Sequence, residues 1–319
     1  MIKMKGRSVL SLYDFTPEEI IYLLEATRVI KQQFQTGNPD LAGLLKGKTL
    51  GRIFQKLSTR TRVSFEVAMF QLGGHALYLS ANELQLKRGE SIADTARVLS
   101  RYVNGIVARV FSHQDVVDLA RYASVPVVNA LSDYSHPCQC LADLFTIYEK
   151  RSMDEVKAEV FKGLKISYIG DGNNVAHSLI FGVVKVGGHI EVATPAGYEP
   201  SKEVVRLATE EAPKTGAQVV VHNDPVKAAQ DADIIYTDVW ASMGQEAEHA
   251  KRLQAFKPFQ INKELVRHAK ADVKIMHCLP AHRGEEITDE VVDSPNSIVF
   301  NQAENRLHAQ KALLVQIMK

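Results

Sequence analysis

The spacing of apolar positions alternates between two periods along this chain. Short β-branched runs are followed by longer stretches in which apolar residues recur every three or four positions. Near the start, Thr16-Pro17-Glu18-Glu19 combines an N-cap, a proline at the first helical position and a glutamate three residues after the cap. This predicts a helix to about Gln35. Strands follow over residues 48–54, 75–79, 105–110 and 126–131, separated by helices over 59–72, 91–102 and 114–122. A long helical pattern covers 137–150.

Residues 150–163 are charged and end in glycine, which makes them a candidate linker. The rhythm then restarts. Strands are expected over 164–169, 189–194, 217–222, 234–238 and 273–278, with helices over 174–186, 201–211 and 226–230. The stretch 240–261 is irregular, a short β-branched run covers 297–300, and a last helix covers 303–318. Strands alternating with helices imply βαβ units and parallel sheets. The fold class is α/β, with two doubly wound domains: residues 1–150, joined by a C-terminal helix over 303–319 that packs back on them, and residues 151–302.

Composition removes several function classes. The 319 residues are 45% apolar and 24% charged, an ordinary globular balance. Thirty-eight basic against 37 acidic residues leave a net charge of +1, without the electrostatic footprint of a nucleic-acid binder. No 18-residue window is free of charge, so no transmembrane helix and no membrane partner are expected. The first residues lack the apolar core of a signal peptide. Cys138, Cys140 and Cys278 are too few for a disulfide scaffold, and one C-x-C pair is a poor zinc frame. A reduced, cytoplasmic compartment, with no metal and no cofactor, is the expectation.

In doubly wound sheets, ligands bind beyond the carboxyl ends of the strands. After the first strand comes Ser58-Thr59-Arg60-Thr61-Arg62 at a helix start, where free N–H groups and the helix dipole favour a phosphate. The same residues also suit an N-cap beside two solvated arginines. Arg109 ends the third strand and needs an anionic partner, either a ligand or a structural carboxylate. After the fourth strand, His136-Pro137-Cys138-Gln139 opens a helix. The positive potential there disfavours an imidazolium, and a neutral histidine can donate to a carbonyl oxygen or simply cap the helix. Three such features after three strands converge on a small dianion.

The second domain opens with Gly170-Asp171-Gly172-Asn173-Asn174-Val175, a partial dinucleotide fingerprint in which Val175 replaces the third glycine. Glu191 stands at the distance of a ribose ligand, but it starts its strand rather than ending it, so it is expected to point away from the crevice. Asn174 suits a carboxylate at the helix start. Asp238, at a strand end, suits an ammonium group or an N-cap. Cys278, in His277-Cys278-Leu279-Pro280, is a nucleophile or a buried small hydrophobe. Arg306, near the start of the last helix, reaches a ligand or bridges domains. The residues alone point to group transfer between a phosphate-bearing dianion and a small zwitterion.

Ser58-Thr59-Arg60-Thr61-Arg62, His136-Pro137-Cys138-Gln139, Asp238 followed by Ser242-Met243-Gly244, and His277-Cys278-Leu279-Pro280 occur in this order. Together they resemble the motif set of the ornithine carbamoyltransferases, over nearly the whole chain. The resemblance implies that carbamoyl phosphate and L-ornithine give L-citrulline and phosphate in a cleft between the two domains. It implies that Ser58, Thr59, Arg60 and Thr61 hold the phosphate, with Gln85 supplied from a neighbouring subunit. It places Arg109 across phosphate and carbonyl oxygen and has His136 donate to that oxygen. Gln139, Leu279 and Arg306 position the carbamoyl end. Asn174, Asp238, Ser242 and Met243 bind the ornithine α-carboxylate and α-amino groups, and Cys278 with Asp238 faces the side-chain amine. No cofactor or metal is implied, and the assembly is a homotrimer or a multiple of trimers. The rival readings are a nicotinamide-dependent dehydrogenase using residues 170–175, a carbamoyltransferase acting on another amine, and a non-catalytic amino-acid-binding module.

Overall fold

The computed structural model describes residues 2–80, 84, 89–152, 154–241 and 248–319. It divides into two compact units. The first comprises residues 1–145, 154–156 and 304–319, and the second residues 146–153 and 157–303.

The first unit opens with α1 (Pro17–Gln35), whose capping box joins Thr16 and Glu19 as the sequence predicts. Four parallel strands follow in the order β2-β1-β3-β4: β1 (Thr49–Phe54), β2 (His75–Ser80), β3 (Gly105–Arg109) and β4 (Val127–Leu131). The connecting helices are α2 (Thr59–Gln71), α3 (Ile92–Tyr102) and α4 (His113–Tyr122). Residues β-branched enough to form β3 and β4 are also buried, and Ile53, Ile106, Ala108 and Val127 pack with Val116 and Leu119 of α4 in one cluster. The chain leaves β1 toward β2 on one side and β3 on the other, so the strand order reverses at β1/β3. α5 (Pro137–Arg151) follows β4, and the division between units falls within it.

The second unit holds five parallel strands in the order β7-β6-β5-β8-β9: β5 (Lys165–Ile169), β6 (His189–Ala193), β7 (Gln218–His222), β8 (Ile234–Thr237) and β9 (Lys274–His277). Its helices include α6 (Asn174–Val186), α7 (Lys202–Thr215) and α8 (Pro225–Ala229). α6 is buried from Val175 to Val186, His177, Ser178 and Lys185 included, and its remaining residues in that stretch are apolar. Here the order reverses at β5/β8.

Three expectations are corrected. The stretch 240–261 contains a helix, α9 (His249–Phe256), among its described residues. Two more short helices, α10 (Lys263–Val266) and α11 (Asp289–Val292), were not foreseen. The last helix, expected from 303, already begins at Val299 as α12 (Val299–Met318), and of the short run 297–300 Ser297 makes an isolated bridge, to Ile275. Among the described residues no helix is long and apolar enough to cross a membrane.

Candidate functional site

In the first unit the predicted residues gather where β1, β3 and β4 end. Ser58 caps α2, its hydroxyl accepting the Thr61 N–H at 3.2 Å. That leaves Thr59 exposed and Arg60 half-buried in the first turn, while Arg62 turns away over the Tyr78 ring, 4.0 Å from its centroid. Arg109, only 7% exposed, ends β3 at a break in the register with β4. Its carbonyl accepts the Gln55 N–H at 2.8 Å, which fixes the backbone at the switch point.

His136 precedes Pro137, the first residue of α5, and its carbonyl accepts from the Gln139 and Cys140 N–H groups. Arg306 of α12 joins these pieces. It donates to the Thr61 hydroxyl at 2.9 Å and to Gln139 Oε1 at 2.8 Å, and its Nη1 lies 3.4 Å from His136 Nε2. Burial, then the Arg306 charge, then the Arg109 charge push the His136 pKa well below its usual value, so the ring is neutral at pH 7. Thr61, His136, Gln139 and Arg306 are all buried.

The second unit brings its predicted residues to the ends of β5, β8 and β9. Asp238 directly follows β8, and both of its oxygens are used. Oδ1 accepts from the Cys278 thiol at 2.9 Å, and Oδ2 accepts from the Asn173 side-chain amide at 2.9 Å. Asn173 rather than Asn174 is the N-cap of α6, its oxygen accepting the Val175 and Ala176 N–H groups. Asn174 is the first helical residue beside it. Leu279 follows Cys278 with φ +57°, and its N–H donates to His277 Nδ1 at 2.8 Å.

The dinucleotide reading fails on the loop after β5. A Cβ on Gly172 would stand 2.2 Å from the Pro200 nitrogen, so this glycine admits the chain's own backbone. Asp171 is buried against Arg252, 3.2 Å away, where a pyrophosphate would meet a carboxylate. Glu191 pairs with Lys165 and His222, both at 2.6 Å.

A model of the aspartate/ornithine carbamoyltransferase carbamoyl-phosphate-binding domain matches residues 7–149, and one of the same family's Asp/Orn-binding domain matches residues 162–317. The chain belongs to the aspartate/ornithine carbamoyltransferase family. It is 60% identical over 318 residues to the ornithine carbamoyltransferase of Pyrococcus horikoshii, covering 100% of this chain and 98% of that protein. The Pyrococcus furiosus protein named as an anabolic ornithine carbamoyltransferase is 60% identical over the same span, with the same coverage. The solved structure of ornithine carbamoyltransferase from Pyrococcus furiosus superposes with a TM-score of 0.94, covering 100% of this chain and 99% of that one.

Three residues carried over from the carbamoyltransferase motifs, Gln85, Ser242 and Met243, lie outside the described residues. Three others were missed by the sequence reading. Asp143, fully buried, accepts from the Gln139 amide at 2.8 Å and fixes which end of that amide meets Arg306. Its signal was the i, i+4 spacing from Gln139. Asn173 was hidden by its neighbour Asn174, since either suits a helix start. Arg252, from the unforeseen α9, donates to the Trp240 carbonyl at 2.7 Å and stacks on Tyr198, which secures the chain just after Asp238.

Among the described residues, two sets of donors come within metal-ligating reach. The donor atoms of Asp238, His277 and Cys278 lie within 4.8 Å of one another, but both nitrogens of His277 are engaged by protein groups. His249, His282 and Glu285 form the second set, at the surface.

Proposed function

We propose that this carbamoyltransferase-family chain transfers the carbamoyl group of carbamoyl phosphate to the side-chain amine of L-ornithine, giving L-citrulline and phosphate. The observation that carries the reading is the buried set in the first unit, with a neutral His136 facing the fixed cation Arg306. That arrangement suits a phosphate-bearing carbonyl compound: cations for the dianion, and one neutral N–H for the oxygen on which negative charge develops.

Ser58, Thr59, Arg60 and Thr61 bind the phosphate at the start of α2, where the dipole and unpaired N–H groups add to the guanidinium. Arg109 spans phosphate and carbonyl oxygen, and His136 donates to that oxygen. Each such donor is worth roughly 3 kcal/mol when it is preorganised toward the oxyanion. Gln139, Leu279 and Arg306 orient the carbamoyl amide. Asn174, Asp238, Ser242 and Met243 take the α-carboxylate and α-amino groups of ornithine, and Cys278 with Asp238 faces its side-chain amine.

The reacting amine is lysine-like, with a pKa near ~10.4 in water, and it attacks only when neutral. Burial beside Cys278 favours the neutral form. Its lone pair forms the C–N bond at the carbonyl carbon, and the proton the amine gives up ends on the departing phosphate. The C–O bond to phosphate then breaks, and phosphate leaves with the electron pair. Orientation of the two substrates supplies much of the remaining acceleration.

The reading extends to a homotrimer, or a multiple of trimers, in which Gln85 of one subunit completes the phosphate site of the next. It also places the enzyme in the cytoplasm, where the absence of disulfides among the described residues is at home. The direct test is citrulline formation from carbamoyl phosphate over a panel of amines. Activity with ornithine alone supports the reading. Equal activity with putrescine or N-acetylornithine, or none with ornithine, overturns the substrate assignment.

A further inference from the structure

His277 sits next to Cys278, yet its side chain points into the protein and is completely buried, as is that of Glu286. Each of its ring nitrogens has one partner. The Leu279 N–H donates to Nδ1 at 2.8 Å, so Nδ1 presents a lone pair. The ring hydrogen therefore sits on Nε2, from which it reaches Glu286 Oε1 at 3.0 Å. The same oxygen accepts the His282 N–H at 2.6 Å, which locks the carboxylate to the loop it faces. The backbone of His277 is held as well, its N–H donating to Gln302 Oε1 at 2.9 Å.

Leu279 occupies the left-handed region, with φ +57°, which a leucine with a full side chain rarely adopts. Such a residue persists only where its surroundings over-determine it. Here the bond from its own N–H to His277 Nδ1 sets the plane of the Cys278–Leu279 peptide. That plane also carries the Cys278 carbonyl and fixes the backbone on both sides of it, from the Cys278 Cα, whose thiol already meets Asp238, to the Leu279 Cα.

We propose that His277 and Glu286 are positioning residues for carbamoyl transfer: Glu286 selects the Nε2–H tautomer of His277, and the bare Nδ1 holds Leu279 so that Cys278 and the Leu279 main chain meet the reacting groups. This rests on the functional reading given above. Neither residue touches substrate. The side chain of Glu286 acts only through His277, and His277 acts only through the backbone of Leu279.

Two near-isosteres separate the halves of the device. In His277→Asn, the side-chain oxygen stands close to the place of Nδ1 and still accepts the Leu279 N–H, while the link to Glu286 is lost. In His277→Gln, the amide nitrogen stands close to the place of Nε2 and still reaches Glu286, while Leu279 loses its acceptor. The full-length variants are compared for melting temperature, for carbamoyl phosphate affinity by calorimetry, and for kcat and KM for ornithine. His277→Asn should keep kcat within about 10-fold of wild type, and His277→Gln should lose about 100-fold, the scale of a misplacement near 1 Å. Carbamoyl phosphate affinity should be unchanged in His277→Asn and should fall less than kcat in His277→Gln. Equal kcat losses in the two variants, or none in either, overturn the positioning role.

Nitrogen-15 NMR of the imidazole reads the tautomer in the wild-type protein and does not depend on either variant folding. A bare Nδ1 and a protonated Nε2 are expected, and a hydrogen on Nδ1 overturns the proposal. A wild type that forms no citrulline refutes the functional reading, and the positioning role with it. A wild type that turns over while both variants lose kcat equally refutes the positioning role alone.

Discussion

Arg306 and Thr61 are 245 positions apart in the chain, and the guanidinium of one donates to the hydroxyl of the other at 2.9 Å. The same guanidinium donates to Gln139 at 2.8 Å. One planar group from α12 thus ties the first turn of α2 to the first turn of α5. A lysine offers a single rotating ammonium and cannot hold both acceptors in one plane. Arg306→Lys should therefore weaken carbamoyl phosphate binding about 10-fold or more, the effect of losing one charge-assisted hydrogen bond. Calorimetry on the folded variant checks this, and an unchanged affinity would remove Arg306 from the site.

Arg60 stands half-buried in the first turn of α2, where the Ser58 cap already occupies one backbone donor. Arg60→Ala should leave the fold intact and cost about 1.5–3 kcal/mol of carbamoyl phosphate affinity, the value of a hydrogen bond to a charged group. Thermal melting and calorimetry separate the two effects.

Cys278 donates to Asp238 at 2.9 Å, which favours a thiol that orients an amine over one that attacks carbon. Cys278→Ser should lower kcat while carbamoyl phosphate still binds. Intact-protein mass spectrometry during turnover should show no carbamoyl adduct on wild-type Cys278. A trapped adduct would make the thiol a nucleophile and change the mechanism.

Lys311 of α12 is buried, with its ammonium 3.8 Å from the Phe34 ring centroid and no hydrogen-bond partner among the described residues. Burial lowers its pKa from 10.5 to about 8. Between those values the unfolded chain holds the proton and the folded chain does not, so this group makes stability rise with pH from about 8 to 10.5. Below pH 8 the fold carries a buried cation at a cost. Lys311→Met should stabilise the protein by about 1–3 kcal/mol at pH 7, and the gain should shrink toward pH 10. Urea midpoints at the two pH values provide the check, and a pH-independent gain would contradict the assignment.

The proposed sharing of sites between subunits predicts complementation. Arg109→Ala and Gln85→Ala should each be strongly impaired. After unfolding, equal mixing and refolding, roughly a quarter of interfaces should pair an intact Arg109 with a neighbour's intact Gln85. Activity should exceed the mean of the two variants. Hybrids confirmed by native mass spectrometry but active only at that mean would place Gln85 elsewhere.

The chemistry-bearing helix starts were legible because local rules announce them. Thr16 and Glu19 form their capping box, and Pro137 opens α5, since caps and N1 prolines depend on neighbours only. What stayed hidden depends on distant partners. The pattern of α9 is weak because its anchor is the buried Arg252, which reads as a surface cation until Asp171 and Tyr198 are placed around it. Asp143 reads as exposed until Gln139 faces it within the same buried helix. At Val299 and Phe300 the β-branched run hid the first turn of α12, because tertiary packing of that helix overrides the local preference. The His277–Glu286 pair, nine residues apart, follows no period, so no pattern reveals it.

The first unit takes residues 304–319 from beyond the second, so its chain is interrupted by the whole of the other unit. Residues near the start depend on that late segment: the Gly6 N–H donates to the Ile317 carbonyl at 2.9 Å, and the Tyr22 hydroxyl donates to Gln316 at 2.7 Å. On the ribosome, residues 146–298 emerge before α12 does. The second unit is therefore free to close during translation while the first still lacks its last segment and Tyr22 of α1 lacks Gln316. Synthesis, which runs from one end, thus delivers the last residue of the second unit before the last residues of the first.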